Sequence, residues 1–186
     1  MQKILVFVLA TAFVACNSSK EKSMGPGATN DSTGTTMNSA PINMQGYTPE
    51  YSSSFTMGNN KNAETLLALW KSWDDNNLEA GKDNFADSVT MYLNDGSAMM
   101  GKRDSIIAWS KPYRVSLGQV HSMVHAIFPI HSSDKNEDWV CIWGREYHQV
   151  NGKTDSTELQ ETWRFNKDGK ADMMYQYKAD NPKKMK

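Results

Sequence analysis

The sequence predicts a single α+β domain in which a curved antiparallel sheet lies over three helices. Apolar residues with helical spacing come early in this domain, and four β-rich segments separated by turn sequences come last. The stretch before the domain is rich in Ser, Thr, Asn, Gly and Pro and lacks the apolar residues that a core requires. We therefore place the domain at residues 61–182 of the 186, which is close to the commonest domain size.

The first 15 residues have the features of a secretory signal peptide. Lys3 precedes an apolar run over 4–14, and eleven residues suit a signal core, whereas a membrane span needs about 20. The run leads through Phe-Val-Ala to Cys16, which resembles the bacterial lipoprotein signal. The resemblance implies cleavage before Cys16, lipid on its thiol, and the membrane as a partner. Asn17, which is not the Asp that retains such proteins on an inner membrane, favours the outer membrane of the cell envelope. A buried strand, or an ordinary signal with a chance cysteine, is the alternative.

Residues 16–60 are predicted to form a disordered, lipid-anchored tether. Of the 44 residues 17–60, 28 are Ser, Thr, Asn, Gly or Pro, so the segment cannot bury enough apolar surface to offset its chain entropy. As a flexible linker it would reach about 35–40 Å. The chain is thus divided into a signal peptide (1–15), the tether, the α+β domain, and a basic tail (183–186).

Three helices are expected. The first is predicted from apolar residues that recur at helical spacing, namely Ala63, Leu66, Leu67, Trp70 and Trp73. Asn59 or Asn60 can cap its amino terminus. A shorter helix is predicted over 77–85, and a third over 103–110, where Pro112 ends or kinks it.

The strands follow from β-rich segments between turn sequences. Residues 89–93 and 97–100 form a hairpin around Asn-Asp-Gly, whose residues tolerate positive φ. Four further strands are predicted over 119–130, 139–150, 157–166 and 171–178. The predicted order is therefore α-α-β-β-α-β-β-β-β.

Composition excludes several classes of function. The chain has 20 Lys and Arg against 21 Asp and Glu, a net charge of −1, which gives no electrostatic basis for binding nucleic acid. Its two cysteines, Cys16 and Cys141, form neither a disulfide scaffold nor a four-cysteine zinc site. His121 and His125 lie about 13 Å apart along a strand and cannot hold one metal. The chain also has no glycine-rich phosphate loop, so we expect no metal and no cofactor.

Several short strings, in order, resemble the nuclear transport factor 2-like superfamily and its SnoaL-like branch. They lie at 70–73, 77–79, 85–87, 93–96, 101–106 and 161–170. The resemblance implies a cone-shaped α+β barrel with an internal pocket, frequently dimeric through the outer face of the sheet. Because the superfamily includes isomerases, cyclases, dehydratases and non-catalytic binding proteins, the fold alone does not assign a function.

The resemblance also locates the residues that ketosteroid isomerase-like members use. Those enzymes need a base carboxylate, a tyrosine donor and a protonated acid around one apolar pocket. Glu161 stands at the position of the acid donor. The position of the base falls at Leu93 or Asn94, and that of the tyrosine at Leu69. Two of the three roles are therefore vacant, which argues against that mechanism.

Alternation along 139–150 sorts the strand into two faces. One face carries Trp139, Cys141, Trp143, Arg145 and Tyr147, and the other carries Val140, Ile142, Gly144, Glu146 and His148. By the resemblance, the face with Glu146 and His148 looks inward. An outward Trp143 and Tyr147 would then form the interface of a homodimer.

The predicted ligand-binding residues come from different strands, and they are Tyr92, Glu146, His148, Glu161 and Trp163. A buried Glu beside apolar groups would have a raised pKa and could exchange protons with His148 as its partner. In the alternative, Glu146 and His148 are solvated and Glu161 only satisfies polar neighbours. We expect a membrane-tethered domain that binds a small, partly apolar molecule without catalysis. The alternative is an isomerase, cyclase or lyase that uses Glu161 or His148 as general acid–base.

Overall fold

The computed structural model describes residues 42–180, in which helices precede most of the strands. The elements are β1 (Phe55–Met57), α1 (Asn60–Asp74), a 3₁₀ helix (Leu78–Asn84), β2 (Phe85–Tyr92), β3 (Ala98–Lys102), α2 (Arg103–Ser116), β4 (Gln119–Ser132), β5 (Glu137–Val150), β6 (Lys153–Phe165) and β7 (Ala171–Asp180). The predicted α+β class is confirmed. The signal peptide with Cys16 and the tail 183–186 lie outside the described residues. None of the helices within 42–180 is long and apolar enough to cross a membrane.

The seven strands within residues 42–180 belong to one sheet, with the order β1-β4-β5-β6-β7-β2-β3. Neighbouring strands are antiparallel except β2 and β7, which run parallel. The register between β4 and β5 shifts between Val124 and Ala126, so His125 is an extra residue that bends the strand. As a result Ser122, opposite Glu146, and Ile127, opposite Ile142, can lie on the same face of the sheet.

Helix α1 forms as the apolar spacing predicts. The Asn59 side chain accepts a hydrogen bond from the Lys61 backbone N–H at 2.9 Å and caps the helix. Leu66 and Leu69 are buried and belong to a core that spans the helix and the inner face of the sheet. The core residues are Ala63, Leu66, Leu69, Val89, Met91, Ile106, Val140, Ile142, Trp163, Phe165, Ala171 and Met174.

Helix α2 is longer than the sequence predicts. The prediction ended or kinked the helix near Pro112, but α2 continues to Ser116 with Pro112 inside it. The reason is Arg114, which is 1% exposed and donates to the carbonyl oxygens of Asp74 and Gly118 at 2.9 Å each, and also to that of Trp73. These bonds join the last turn of α2 to the end of α1 and offset the hydrogen bond that Pro112 cannot make.

Part of the predicted tether is ordered, which corrects its boundary at residue 60. We call residues 51–57 the strap. Its strand β1 pairs with the edge of β4 at 130–132. Tyr51 packs edge-on against Trp139 with ring centroids 6.3 Å apart, and its hydroxyl donates to Glu137 at 2.7 Å. Burial, and next the hydrogen bond to Glu137, raise the pKa of Tyr51 to about 12. An unpaired strand edge and an aromatic surface therefore order a segment whose own composition is polar.

The predicted turns are confirmed where the chain needs positive φ. Gly96 has a φ of +83° and donates its backbone N–H to Leu93 at 3.1 Å, which closes the turn between β2 and β3. Asn151 and Gly152, at +51° and +74°, connect β5 to β6. These turns fix the register in which the inner face of the sheet meets the helices.

Candidate ligand-binding cavity

A cavity of about 440 Å³ lies between the inner face of the sheet and helices α1 and α2. Its walls are mainly apolar and aromatic, formed by Leu69, Trp70, Trp73, Leu78, Phe85, Met91, Leu93, Met99, Ile106, Ile107, Trp109, Tyr113, Leu159, Trp163 and Met174. The polar lining residues are Ser72, Asn94, Asp95, Ser110, Ser122, Glu146, Glu161, Gln176 and Lys178. The volume and the few polar groups are those of a small-molecule site.

The Glu161 carboxylate is fixed in the cavity wall by three hydrogen bonds. Glu161 lies on β6 and is 5% exposed. Its Oε2 accepts from the indole N–H groups of Trp70 and Trp163, at 2.8 Å each. Its Oε1 accepts from the amide of Gln176 on β7 at 2.9 Å. All three donors are neutral, so they orient the carboxylate without supplying a positive charge.

Glu146 is the second buried carboxylate of the cavity. It lies on β5, is 7% exposed, and accepts a hydrogen bond from the Trp73 indole N–H at 2.7 Å. Burial raises the pKa of Glu146, while the Trp73 hydrogen bond and the charges of His148 and Lys178 lower it. The net direction is upward, so burial makes the protonated form of this carboxyl easier to reach than in a solvated glutamate.

The two tryptophans of α1 each reach a different carboxylate. Trp70 and Trp73 are three residues apart and therefore lie on the same side of the helix. Gly144 allows the close approach, since a Cβ there would collide with the Met123 carbonyl oxygen and lie 3.2 Å from the Trp70 ring. The sequence analysis used both tryptophans only as apolar residues of a helix and missed their role as donors. The available signal was the pairing of two indoles on one helix face with two inward Glu on neighbouring strands.

Three of the five predicted ligand-binding residues meet in the cavity. Glu146, Glu161 and Trp163 all line it. Tyr92 does not, because its strand neighbours Met91 and Leu93 face the cavity and alternation turns Tyr92 to the opposite side. There it stacks on Tyr175 with ring centroids 4.9 Å apart and is 36% exposed. Its predicted place in the pocket is wrong.

His148 lies in a separate, open groove and does not line the cavity. The groove has a volume of about 550 Å³ and includes Asp74, Arg114, His121 and Tyr147. The His148 Nδ1 atom is buried and makes no hydrogen bond with the residues that the structure describes. Burial raises the pKa of Glu146 and a positive charge on His148 opposes that shift, but the structure does not bring His148 and Glu161 to the same ligand position.

The positions that the resemblance assigns to isomerase chemistry do surround the cavity. Glu161, Leu93, Asn94 and Leu69 are all lining residues. The place of the acid donor therefore holds a carboxyl group, whereas those of the base and the tyrosine hold side chains that exchange no protons. The cavity's other buried carboxyl group is Glu146, which lies on a different strand.

The remaining thiol and histidines form no metal site in the described part of the chain. Within residues 42–180, no group of three His, Cys, Asp or Glu is placed to hold a metal ion. Cys141 is half-buried, with its Sγ 3.8 Å from the Thr162 hydroxyl. Burial raises the pKa of the Cys141 thiol, which lowers its thiolate fraction and its reactivity.

The outer face of the sheet carries the aromatic residues that the sequence placed there. Trp143 is 40% exposed and packs edge-on against Phe128. Tyr147 stacks on His121 with ring centroids 6.4 Å apart. Trp139, on the same face, is 7% exposed because the strap covers it.

Comparison with known proteins gives the fold. No family model matches the sequence, and no curated protein matches it either. A putative SnoaL-like polyketide cyclase from Shewanella denitrificans is similar in structure, with a TM-score of 0.54, 10% identity, and coverage of 65% of this chain and 92% of the other. An LEH-like epoxide hydrolase from Mycobacterium tuberculosis is also similar, with a TM-score of 0.53 and 8% identity, over 64% of this chain and 84% of the other. AusH from Aspergillus nidulans has a TM-score of 0.54 and 11% identity, over 68% of this chain and 89% of the other.

These likenesses confirm the fold that the sequence strings imply. The described domain has an α+β fold with a curved sheet over helices, as the sequence strings imply, and its structural neighbours include a SnoaL-like protein. Identities of 8–11% extend the likeness to the fold alone. The function must therefore be argued from this chain's own cavity.

Proposed function

We propose that the cavity binds a small, partly apolar molecule. The observation that carries this proposal is an aromatic cavity of about 440 Å³ with two buried carboxylates in its wall. Burying a carboxylate costs several kcal/mol unless its charge and lone pairs are satisfied. Two such groups facing one cavity are what a site needs to orient a ligand whose body lies against aromatic walls.

The geometry of Glu161 favours binding over catalysis. A carboxylate accepts about four hydrogen bonds, and protein donors occupy three of these positions. One acceptor position therefore remains for a ligand, on a group that its neighbours hold rigidly. A carboxylate held by three protein donors is a fixed acceptor, which orients a ligand well.

Binding of the neutral dye Nile red, whose fluorescence increases in apolar sites, tests the proposal. We expect the soluble domain to bind the dye, and Leu159→Trp, which fills the cavity, to weaken binding about tenfold or more. Leu67→Trp is the matched control, because Leu67 is 38% exposed and does not line the cavity. Circular dichroism checks that both variants fold, with Met99→Trp as a second cavity-filling variant. Equal dye binding by the wild type and both cavity-filling variants would contradict the proposal.

An isomerase, cyclase or lyase is the second candidate, and the raised pKa of Glu146 favours it. The sequence-based version used Glu161 or His148, but Glu161 is held by three donors and His148 lies outside the cavity. Deuterium exchange at the α-carbon of a bound aryl ketone, followed by NMR, separates the two candidates. Acceleration that Glu146→Gln abolishes would establish acid–base chemistry, and its absence supports binding alone.

We also propose that the domain is tethered to the bacterial cell envelope through lipidated Cys16, with the outer membrane favoured. The support is the sequence before Cys16 and its place at the end of an apolar run. Acyl chains contribute about 0.8 kcal/mol for each buried CH₂, so several chains anchor a protein stably. Labelled palmitate should enter the wild-type protein but not Cys16→Ala in bacterial cells. Equal labelling, or none in the wild type, would contradict the tether.

The outer face of the sheet is our proposed homodimer interface. Exposed Trp143 and partly exposed Tyr147 support it, since aromatic residues are enriched at interfaces. Sedimentation equilibrium should give a dimer for the soluble domain and a monomer for Trp143→Arg. Val115→Arg, on exposed α2, is the control and should remain dimeric. A monomeric wild type would end this proposal.

A further inference from the structure

Two buried carboxylates line one cavity at different levels. Glu161 lies opposite Ile142 across the β5–β6 pair, and Glu146 is four residues further along β5. Four residues of strand span about 13 Å, so the two carboxylates can contact different parts of one ligand. Both are at least nine-tenths buried, so solvent screens them weakly.

The charge environment of the two carboxylates differs. Glu146 has positive charge nearby. Burial raises its pKa, but the charges of His148 and Lys178 oppose that shift, and burial lowers the pKa of Arg114 while the Glu146 charge opposes it. Glu161 instead has the indole and amide donors described above. Neutral N–H dipoles stabilise a carboxylate, but they leave its unit charge in place. Glu161 is therefore the point in the cavity where a positive charge is most favourable.

Aromatic rings surround the same position. Trp70 and Trp163 donate their N–H groups to Glu161 and also line the cavity, and Phe85 packs against Trp163 with ring centroids 6.1 Å apart. Both indoles turn their N–H edges to the carboxylate, so they fix its position and their rings supply apolar wall for the body of a ligand. A buried carboxylate whose protein donors are all neutral favours an ammonium group over a hydroxyl and disfavours an anion.

We infer that the ligand of this cavity is an amine, with a protonated nitrogen at Glu161 and an apolar or aromatic body against the tryptophan walls. This inference rests on the proposed binding function and specifies its ligand class. The ammonium N–H occupies the fourth acceptor position of Glu161 and cancels its charge. A neutral alcohol of the same shape could fill that position but would leave the charge uncompensated.

Three probes with one shared body test the inference. Phenethylamine is a cation at neutral pH, phenethyl alcohol is neutral, and hydrocinnamate is an anion, and each competes with bound Nile red at fixed ionic strength. We expect phenethylamine to displace the dye at a concentration about tenfold below that of the alcohol, with hydrocinnamate the weakest. Glu161→Gln should reduce the preference to within about twofold, while Glu64→Gln, whose side chain is 65% exposed, should preserve it.

The outcomes separate this inference from the function on which it rests. Failure of Nile red to bind the wild type would overturn the proposed function itself. Dye binding with equal displacement by the amine and the alcohol would leave the cavity as a binding site and overturn the amine inference. A preference that survives Glu161→Gln but disappears in Glu146→Gln would overturn the assignment of the cation to Glu161.

Discussion

Replacing Trp163 with phenylalanine removes one of the two indole N–H groups that hold the Glu161 carboxylate. The bond is 2.8 Å long, and both residues are nearly fully buried. A hydrogen bond to a charged group contributes about 1.5–3 kcal/mol, and the smaller ring leaves a void that adds about 0.5–1 kcal/mol. We therefore expect Trp163→Phe to lower the free energy of unfolding by about 2–4 kcal/mol.

Urea unfolding followed by far-UV circular dichroism measures this loss. Trp109→Phe is the control, because Trp109 also lines the cavity but is 54% exposed and should change stability by less than about 0.5 kcal/mol. Adding Glu161→Gln to each background completes a double-mutant cycle. We expect a coupling of about 1 kcal/mol or more between Trp163 and Glu161. Equal effects of the two Trp→Phe changes, or a coupling near zero, would refute a structural role for this hydrogen bond.

Three further predictions concern residues around and outside the cavity. Because burial raises the pKa of Glu146, its stabilising contribution is fully present below the unfolded-state pKa and is lost as pH rises through the folded-state pKa. Glu146→Gln should therefore raise the Tm relative to wild type at about pH 8 and not at about pH 4. Tyr51→Phe should cost about 1 kcal/mol by removing the hydrogen bond to Glu137, and should speed hydrogen exchange of β1. Gly144→Ala should cost about 1–3 kcal/mol, because its Cβ would collide with the Met123 carbonyl, and thermal unfolding measures this loss.

Each of these three predictions has an outcome that contradicts it. A Tm difference for Glu146→Gln that is independent of pH would show that this carboxyl does not titrate differently in the folded protein. Unchanged exchange of residues 55–57 in Tyr51→Phe would mean that strand pairing alone holds the strap. A fully stable Gly144→Ala would mean that β4 and β5 can separate at no cost.

The elements that the sequence predicted correctly are those with strong local signals. Helix α1 has apolar residues at a regular spacing and an asparagine cap, and the turn at Asn151 uses residues that tolerate positive φ. These features act within a few residues, so they can be read from a short window. The position of Tyr92 outside the cavity could have been predicted in the same way, since Met91 and the residues alternating with it form the apolar side of β2.

The features that the sequence did not reveal depend on distant partners. Strand β1 has three residues and forms because β4 offers an unpaired edge about 75 positions later. Helix α2 passes through Pro112 because Arg114 reaches the carbonyl oxygens of α1. The bond between Trp70 and Glu161 joins residues 91 positions apart. No short window contains both members of such a pair.

The pairing of the last strand has a consequence for how this chain matures. Strand β7 supplies Gln176 to Glu161 and joins β6 to β2, whose residues lie more than 80 positions earlier. Contacts between residues so far apart in sequence form slowly, because a long loop must close before the contacts can stabilise the fold. The cavity is completed only after the carboxyl-terminal strand has been synthesised. The hydrogen bond from Gln176 to Glu161 and the β2–β7 pairing both depend on β7, so the two sides of the cavity join only when this strand is in place.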